Sequence, residues 1–273
     1  MLNQQTKLSD KSYLREVIEK QKKQLTRSIR YAQNIQSAIF PAQQDIERLF
    51  PESFTLFLPR DIVSGDFYWI KQVGSKILLA VGDCTGHGVP RAFMSMLGIT
   101  FLNEITNYDP YLPPNRILNM IRERVMKTLN QTGKPTDQKD GMDLTLITYE
   151  QKEQILQFSG ANNPLFHFHK GKLNEVKGDR MPIGIYGDFE APFTKHQLKI
   201  DHGDRIYLFT DGYVDQFGGP EFKKFKFNRF RKLLYDIQDE DFERQKSILH
   251  ETLKVWRGKF EQIDDILIMG LGF

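Results

Sequence analysis

The chain has 273 residues, of which 40% are apolar, and its 38 Lys and Arg residues nearly balance its 35 Asp and Glu residues. This composition is that of a folded globular protein and excludes collagen-like and disordered chains. A length below two typical domains predicts one large domain, alone or with an appendage.

Three classes of feature are missing from the sequence. The most apolar stretch, residues 92–102, is interrupted by polar residues and is far shorter than the ~20 residues that a membrane span needs. The first residues lack the apolar core of a secretory signal, so the cytoplasm is the expected compartment. With Cys84 as the single cysteine, neither an intrachain disulfide nor a cysteine-rich metal site can form.

A long amphipathic helix is predicted at the amino-terminal end. Residues 1–40 hold eight Lys and Arg against three Asp and Glu, with no proline before Pro41. Apolar residues with helical spacings of three, four and seven form a stripe: Leu14, Ile18, Leu25, Ile29, Ala32, Ile35 and Ile39. This stripe must be buried either on the body of the protein or against a second copy in a coiled coil, and the sequence leaves both options open. A membrane-surface or nucleic-acid role is disfavoured because the stripe has no Trp or Phe anchors.

From about Ser53 the pattern changes to short apolar segments separated by turns. Three helices are predicted among them, from Pro90 toward Glu104, after Asn115, and over residues 241–257. The predicted strands are residues 54–58, 67–70, 77–81, 144–149, 155–158, 165–169, 198–200, 205–210 and 266–269. Strands grouped as hairpins, with helices grouped elsewhere, predict an α+β fold with layered and mostly antiparallel sheets.

Acidic residues stand at the ends of four predicted strands. They are Asp66, Asp83, Asp211 and the pair Asp264 and Asp265. Each alone is explained as turn chemistry, and Asp211-Gly212 is a typical hairpin turn. Together they would repel one another unless a cation neutralised them. Oxygen ligands suit Mg²⁺ or Mn²⁺, and the absence of an HExxH motif and of further cysteines argues against zinc.

The motifs that carry these residues identify a family. The chain closely resembles the SpoIIE/RsbU-like branch of the metal-dependent (PPM, type 2C) serine/threonine protein phosphatases, in the segments RDIVSGDFYW, VGDCTGHGVPRAFMSMLG, DGMDLTL, GANNPLF, DRMPIGIY, FTDGYVDQFGG and DDILIM, in that order. The resemblance covers residues 59–270, and SIRYAQNIQSAIFP is similar to the helix that leads into such domains. It implies a central pair of antiparallel β-sheets flanked by α-helices. We therefore expect a regulatory or linker helix over residues 1–45 and a phosphatase domain over residues 46–273.

The resemblance also implies a set of metal ligands. Asp83 matches the carboxylate that bridges two Mn²⁺ or Mg²⁺ ions, and the backbone carbonyl of Cys84 is expected to ligate as well. Asp66 matches the ligand that opens the series, and Asp211 and Asp264 match the two late ligands, with Asp265 in support. A third ion is expected to involve Asp143, Asp211 and Asp215.

The implied reaction is hydrolysis of a phosphoserine or phosphothreonine by a metal-activated water, without a phospho-enzyme. His87 is a candidate general acid because its ordinary pKa of ~6.5 lies near working pH, or it is a turn residue. Relatives usually carry glycine at the position of Arg91. Arg91 is therefore expected either to face the substrate phosphate or an acidic patch on the partner, or to be solvated. Arg60 is a second candidate phosphate contact, or else part of a structural ion pair.

Two further functions use the same residues. A noncatalytic module of this fold would bind a phosphoprotein partner but turn it over poorly. A metal-dependent phosphodiesterase acting on nucleotides is disfavoured, because the sequence lacks a GxxxxGK phosphate loop and the motif order differs. In the branch that the chain resembles, substrates are phosphorylated anti-sigma-factor antagonists, and a helix like the amino-terminal one relays a sensor's signal. The expected partners are thus a phosphorylated regulatory protein and a second copy of the chain, with no nucleic acid and no membrane span.

Overall fold

The helices and strands were obtained from a computed structural model that describes residues 2–86, 88–134, 138–187 and 191–273, with side chains from residue 13 onward. The helices are α1 (Leu2–Ile39), α2 (Gln43–Leu49), α3 (Val89–Tyr108), α4 (Pro114–Thr128), α5 (Gly212–Asp215), α6 (Phe227–Asp236) and α7 (Phe242–Arg257). The strands are β1 (Ser53–Leu58), β2 (Phe67–Val73), β3 (Lys76–Cys84), β4 (Met142–Glu150), β5 (Ile155–Ala161), β6 (Leu165–His169), β7 (Lys172–Val176), β8 (His196–Lys199), β9 (Arg205–Phe209), β10 (Phe217–Gly218), β11 (Lys223–Lys224) and β12 (Ile266–Gly272).

The strands form two five-stranded antiparallel sheets and one short hairpin. One sheet has the order β1-β12-β9-β6-β7 and the other has the order β2-β3-β4-β5-β8, while β10 pairs with β11. The expected pair of antiparallel sheets flanked by helices is confirmed.

The core is layered because side chains alternate between the two faces of each strand. On β3, Ile77 and Leu79 enter the cluster between the sheets, where they meet Leu208 of β9. Leu78 and Ala80 point the other way and pack under α3 and α4. The outer face of the other sheet is covered by α6 and α7. The order of layers is therefore helix, sheet, sheet, helix.

The first helix separates into an exposed part and a docked part. Leu14, Ile18 and Leu25 are 58–63% exposed, so this part of the stripe does not pack on the body of the same chain. Near the carboxyl end, Gln36 is 4% exposed and contacts the segment before β2 and helix α3. None of the described helices is both long and apolar enough to cross a membrane.

Candidate metal centre

Four strand ends bring the acidic residues together at one edge of the sandwich. Asp83 lies near the end of β3 and is directly opposite Asp143, the second residue of β4. Asp66 immediately precedes β2, which runs antiparallel to β3. In the other sheet, Asp211 follows β9, and the acidic pair precedes β12. Because β9 and β12 are antiparallel, the end of one lies beside the start of the other.

The side chain of Arg91 lies inside this acidic cluster. Its Nη2 atom is 2.9 Å from Asp83 Oδ1 and 3.5 Å from Asp66 Oδ1. Its Nη1 atom is 2.5 Å from Asp264 Oδ1 and 3.3 Å from Asp265 Oδ2. Arg91 is 3% exposed, so the expectation of a solvated side chain is wrong. The reason is that the first turn of α3 directs the side chain toward the carboxylates of three segments, around Asp66, Asp83 and Asp264.

The two residues of the acidic pair have different environments. Asp265 is 2% exposed, and its carboxylate accepts hydrogen bonds from the backbone N–H groups of Arg60 at 2.7 Å and Gly65 at 2.8 Å. It thereby fixes the loop that carries Asp66. The side chain of Asp264 is 35% exposed and faces the opening of the cluster. This division is consistent with the expectation that Asp264 is the ligand and Asp265 supports the site.

The two carboxylate oxygens of Asp66 differ in their hydrogen bonding. Thr210 donates a hydrogen bond of 2.6 Å to Asp66 Oδ2. The other carboxylate oxygen, Oδ1, is buried and accepts no hydrogen bond. This oxygen is thus held toward the interior of the cluster without a hydrogen-bond donor.

The opposite side of the cluster contains the three residues expected at a third ion. Asp143 Oδ1 accepts a hydrogen bond of 2.7 Å from Asn162. Asp215, on α5, forms an ion pair of 2.7 Å with Lys224. The charges of Asp215, Asp264 and Asp143 all raise the pKa of Asp211.

Burial and mutual repulsion raise the pKa values of these carboxyl groups. Burial and the charge of Asp211 raise the pKa of Asp83 to about 8, and burial with the charge of Asp215 raises that of Asp211 to about 6. Burial also raises the pKa of Asp66 and of Asp143. The protein alone therefore compensates only part of the negative charge of these carboxylates. A bound cation would lower their pKa values.

The donor set fits hard divalent cations, since every candidate side-chain ligand is a carboxylate oxygen. The carboxylate oxygens of the cluster are, however, not gathered closely around one point. Within the described residues, only His167, His169 and Asp204 bring three potential ligand atoms within 4.8 Å of one another. Those three are joined by hydrogen bonds of 2.9 Å around Asp204, which lies at the start of β9, the opposite end from Asp211.

The remaining predicted residues lie around the cluster. Cys84 is 1% exposed, and burial raises the pKa of its thiol, so the thiol is not an available nucleophile. Arg60 donates to the carboxylate of Asp61 at 2.7 Å and to the carbonyl oxygen of Ile263 at 2.9 Å. The contact with Asp61 is an ion pair, which is the alternative that the sequence offers to a phosphate contact. His87 lies outside the described residues.

Several supporting residues were not identified from the sequence. Thr210 directly precedes Asp211, and Asn162 lies in the GANNPLF motif. The position of each in the sequence is thus a signal for a place near the site. Lys224 gives no such signal, because it lies nine residues from the aspartate that it pairs with and on another element. Gln36 is the fourth, and its role depends on how α1 docks.

Comparisons with known proteins agree with the fold. Residues 74–273 match the family model of Stage II sporulation protein E (SpoIIE). Stage II sporulation protein E of Bacillus subtilis is 26% identical over 163 residues, which are 59% of this chain and 18% of that protein. Phosphoserine phosphatase RsbU of Bacillus subtilis is 24% identical over 193 residues, which are 68% of this chain and 53% of that protein. The chain thus spans about half, or less, of the length of these two relatives.

A solved structure is similar over nearly its whole length. The SiaA-PP2C domain of Pseudomonas aeruginosa superposes with a TM-score of 0.83 at 30% identity, and the match covers 92% of this chain and 98% of that one. The family match extends over most of the chain and includes the last three strand ends that carry the acidic cluster. The chain therefore belongs to the SpoIIE family of PP2C-type protein phosphatases.

Proposed function

We propose that the chain hydrolyses phosphoserine or phosphothreonine on a regulatory protein, and that it needs Mn²⁺ or Mg²⁺ for this reaction. The observation that carries the proposal is the convergence of Asp66, Asp83, Asp211 and Asp264 from both sheets at one edge of the sandwich. A phosphate monoester is a dianion, which such a group of carboxylates would repel. Substrate binding at this edge therefore requires cations.

The residues that would hold the cations are those expected from the sequence. Asp83 is central to the set, because it shares the guanidinium of Arg91 with Asp66 and lies directly opposite Asp143 in the pairing of β3 with β4. Asp264 and the backbone carbonyl of Cys84 complete the set around Asp83, while Asp143 and Asp215 extend it beyond Asp211. When bound to such ligands, divalent cations lower the pKa of a water and neutralise the phosphoryl group.

The protein orients the aspartate side chains and leaves the site accessible to a substrate. The side chains of Asp83 and Asp264 are 17% and 35% exposed, so they face the side from which a phosphorylated segment can approach. Asp66 is fully buried behind them, where Thr210 and the Asp265-bound loop fix its orientation. We propose His87, which follows Asp83 by four positions in the sequence, as the proton donor to the departing serine or threonine oxygen.

The proposed substrate is a phosphorylated regulatory protein, such as an anti-sigma-factor antagonist. The relative RsbU is named a phosphoserine phosphatase, which supports this class of substrate. A folded protein substrate is also compatible with an acidic cluster at an open edge of the sandwich.

We further propose that residues 1–45 form a regulatory element and residues 46–273 the phosphatase domain. The exposed stripe of α1 supports pairing with a second copy, because Ile18, Leu25 and Ala32 recur at the seven-residue spacing of a coiled coil. Gln36 supports a link to the site. It accepts from the N–H of Ser64 at 3.0 Å and donates to the carbonyl of Ser64 at 2.6 Å, two residues before Asp66.

A noncatalytic phosphoprotein-binding module remains the second candidate. One observation favours it: Arg91 already compensates part of the negative charge of the cluster. Such a module would keep the fold and the surface while lacking turnover.

One assay separates the two functions. We expect the purified chain to release phosphate from p-nitrophenyl phosphate and from a phosphoserine peptide in the presence of Mn²⁺, and to stop when EDTA is added. Full release in EDTA would contradict the proposed mechanism. A folded protein that binds Mn²⁺ and the phosphopeptide but releases no phosphate would establish the binding module instead.

A further inference from the structure

The guanidinium group of Arg91 is surrounded by carboxylates, as a bound cation would be. It lies within 3.5 Å of carboxylate oxygens from Asp66, Asp83, Asp264 and Asp265. Both Asp66 Oδ1 and Asp83 Oδ1 approach the same nitrogen, Nη2. These are oxygens that a divalent cation would have to bind on this side of the cluster, at ~2.0–2.1 Å for Mg²⁺.

The loop before β2 leaves a space for this side chain. A Cβ atom added at Gly65 would lie 1.8 Å from Arg91 Nε and 2.7 Å from both Cδ and Cζ. The arginine therefore crosses directly over the α-carbon of Gly65. Because the backbone of Arg91 belongs to α3 and its side chain is enclosed by Gly65 and the carboxylates, the guanidinium is held in place on several sides.

Positive charge is distributed unevenly over the rest of the cluster. Lys224 pairs with Asp215 at the far side. Asp143 has the neutral amide of Asn162 as its hydrogen-bond partner, and neither Asp143 nor Asp211 has an ion pair within the described residues. Asp83, in contrast, pairs with Arg91 at 2.9 Å. The part of the cluster that lacks a protein cation is thus formed by Asp143 and Asp211.

We propose that Arg91 replaces one of the two divalent cations expected for this family, so that the chain binds a single divalent cation, on the side of Asp143 and Asp211. This inference rests on the proposed function for the existence of the remaining cation site. A guanidinium compensates negative charge and donates hydrogen bonds, but it has no open coordination position for a water. Arg91 would then compensate the charge of Asp66 and Asp83, and Asp143 and Asp211 would be left to hold the remaining cation.

The number of bound ions tests this proposal without reference to activity. Metal-free full-length chain is titrated with Mn²⁺ alone, and the bound ions are counted by isothermal titration calorimetry and by electron paramagnetic resonance. We expect one Mn²⁺ per wild-type chain with the spectrum of an isolated ion. We expect two Mn²⁺ per chain in Arg91→Ala, with the spectrum of a spin-coupled pair, since paired ions in such centres lie ~3.5–4 Å apart.

Two further variants control for charge and for folding. Arg91→Lys keeps a positive charge at the site and should bind one ion. Arg116→Ala removes an exposed arginine from α4 and should also bind one ion. Circular dichroism establishes that each variant is folded. If Arg91→Ala fails to fold, the wild-type count still decides, because two ions in the wild type would overturn the proposal.

The outcomes separate this inference from the proposed function. Two coupled ions in the wild type, or one ion in folded Arg91→Ala, overturns the role of Arg91 and leaves the phosphatase proposal intact. One ion in the wild type and two in Arg91→Ala, without phosphate release by either protein, supports the role of Arg91 and overturns the phosphatase proposal. No bound ion in either protein overturns both.

Discussion

At the scale of single residues, Gly65 and Arg91 depend on each other. Gly65 has an ordinary backbone conformation that alanine could adopt, yet a Cβ atom there would collide with the arginine. We expect Gly65→Ala to destabilise the wild type by about 1–3 kcal/mol, the usual cost of overpacking a buried site. The same change should cost much less in the background of Arg91→Ala, because the colliding atoms are then gone.

A double-mutant cycle measures this coupling. Denaturant unfolding of the wild type, both single variants and the double variant gives the four free energies of unfolding. Equal costs of Gly65→Ala in the two backgrounds would show that the arginine does not occupy the position seen in the structure. The variant Gly171→Ala serves as the matched control, because a Cβ atom there meets nothing and only its positive φ of 72° causes strain.

The proposed ligands make a second residue-scale prediction. Asp83→Asn and Asp211→Asn should each lower phosphate release by more than about 100-fold, since losing even an outer partner of a metal ligand costs 10–100-fold. Both proteins should stay folded, because a raised pKa means that the charged form is not what stabilises the fold. The measurement is phosphopeptide turnover with Mn²⁺, together with a thermal melt.

The matched control for that prediction is Asp236→Asn, which removes an exposed carboxylate that pairs with Lys232 on α6. It should leave turnover unchanged. Wild-type turnover in either of the two ligand variants would contradict the assignment of the site.

At the scale of elements, α1 is joined to the site through one buried amide. Gln36 forms two hydrogen bonds with the backbone of Ser64 and donates a third to Ser95 Oγ at 2.9 Å. Gln36→Ala leaves the buried N–H of Ser64 without its acceptor, whereas Ser95 Oγ keeps its bond to the Ala92 carbonyl. Leaving one such buried group unpaired typically costs about 1–3 kcal/mol. We expect faster hydrogen exchange in residues 60–66 and a higher Mn²⁺ concentration for half-saturation. Gln33→Ala, an exposed glutamine one turn earlier, should change neither quantity.

The exposed stripe of α1 makes a separate prediction about assembly. If α1 pairs with a second copy, the double substitution Ile18→Asp and Leu25→Asp places charge in the seam and should convert a dimer into a monomer. Sedimentation velocity at micromolar concentration checks this. Lys23→Asp introduces a charge change on the face away from the seam and should leave the dimer intact. A wild type that sediments as a monomer would refute pairing through α1.

At the scale of the whole molecule, the cation-free fold should weaken as pH rises. The pKa values of Asp83, about 8, and of Asp211, about 6, lie above the unfolded value of 3.8, and that of Asp66 is raised as well. Between pH 3.8 and about pH 8 the folded chain therefore binds more protons than the unfolded chain. The free energy of unfolding falls as pH rises through this interval. We expect the melting temperature in EDTA to fall between about pH 5 and pH 8.

Divalent cations should reverse this trend, because they replace the protons and bind only the folded arrangement. Added Mn²⁺ is expected to raise the melting temperature most at the upper end of the pH range. Asp83→Asn serves as the control, since it removes the carboxyl group whose pKa is raised to about 8 and should flatten the profile in EDTA. A wild-type melting temperature in EDTA that rises over this interval would contradict the prediction.

The positions of strands and helices along the chain were predictable where the local sequence pattern was strong. The strand at residues 165–169 was predicted with the bounds that the structure has, because Leu165 to His169 form a compact apolar segment between turns. Strand β7 was not predicted, since its residues are mostly polar and exposed at the edge of the sheet. Helix α6 was also missed, although Phe230 and Leu234 have the four-residue spacing of a buried helical face.

The family, the two-sheet architecture and the acidic residues at the strand ends were all predictable from the amino-acid sequence, because each depends on short segments in a defined order along the chain. The path of the Arg91 side chain was not predictable in this way, because it depends on contacts between distant parts of the folded chain. Its nearest partners include Asp264, which is 173 residues away along the chain, and the space it occupies exists because Gly65 has no Cβ atom. A contact of this kind depends on how three loops from two sheets meet, and no local pattern in the sequence encodes that meeting.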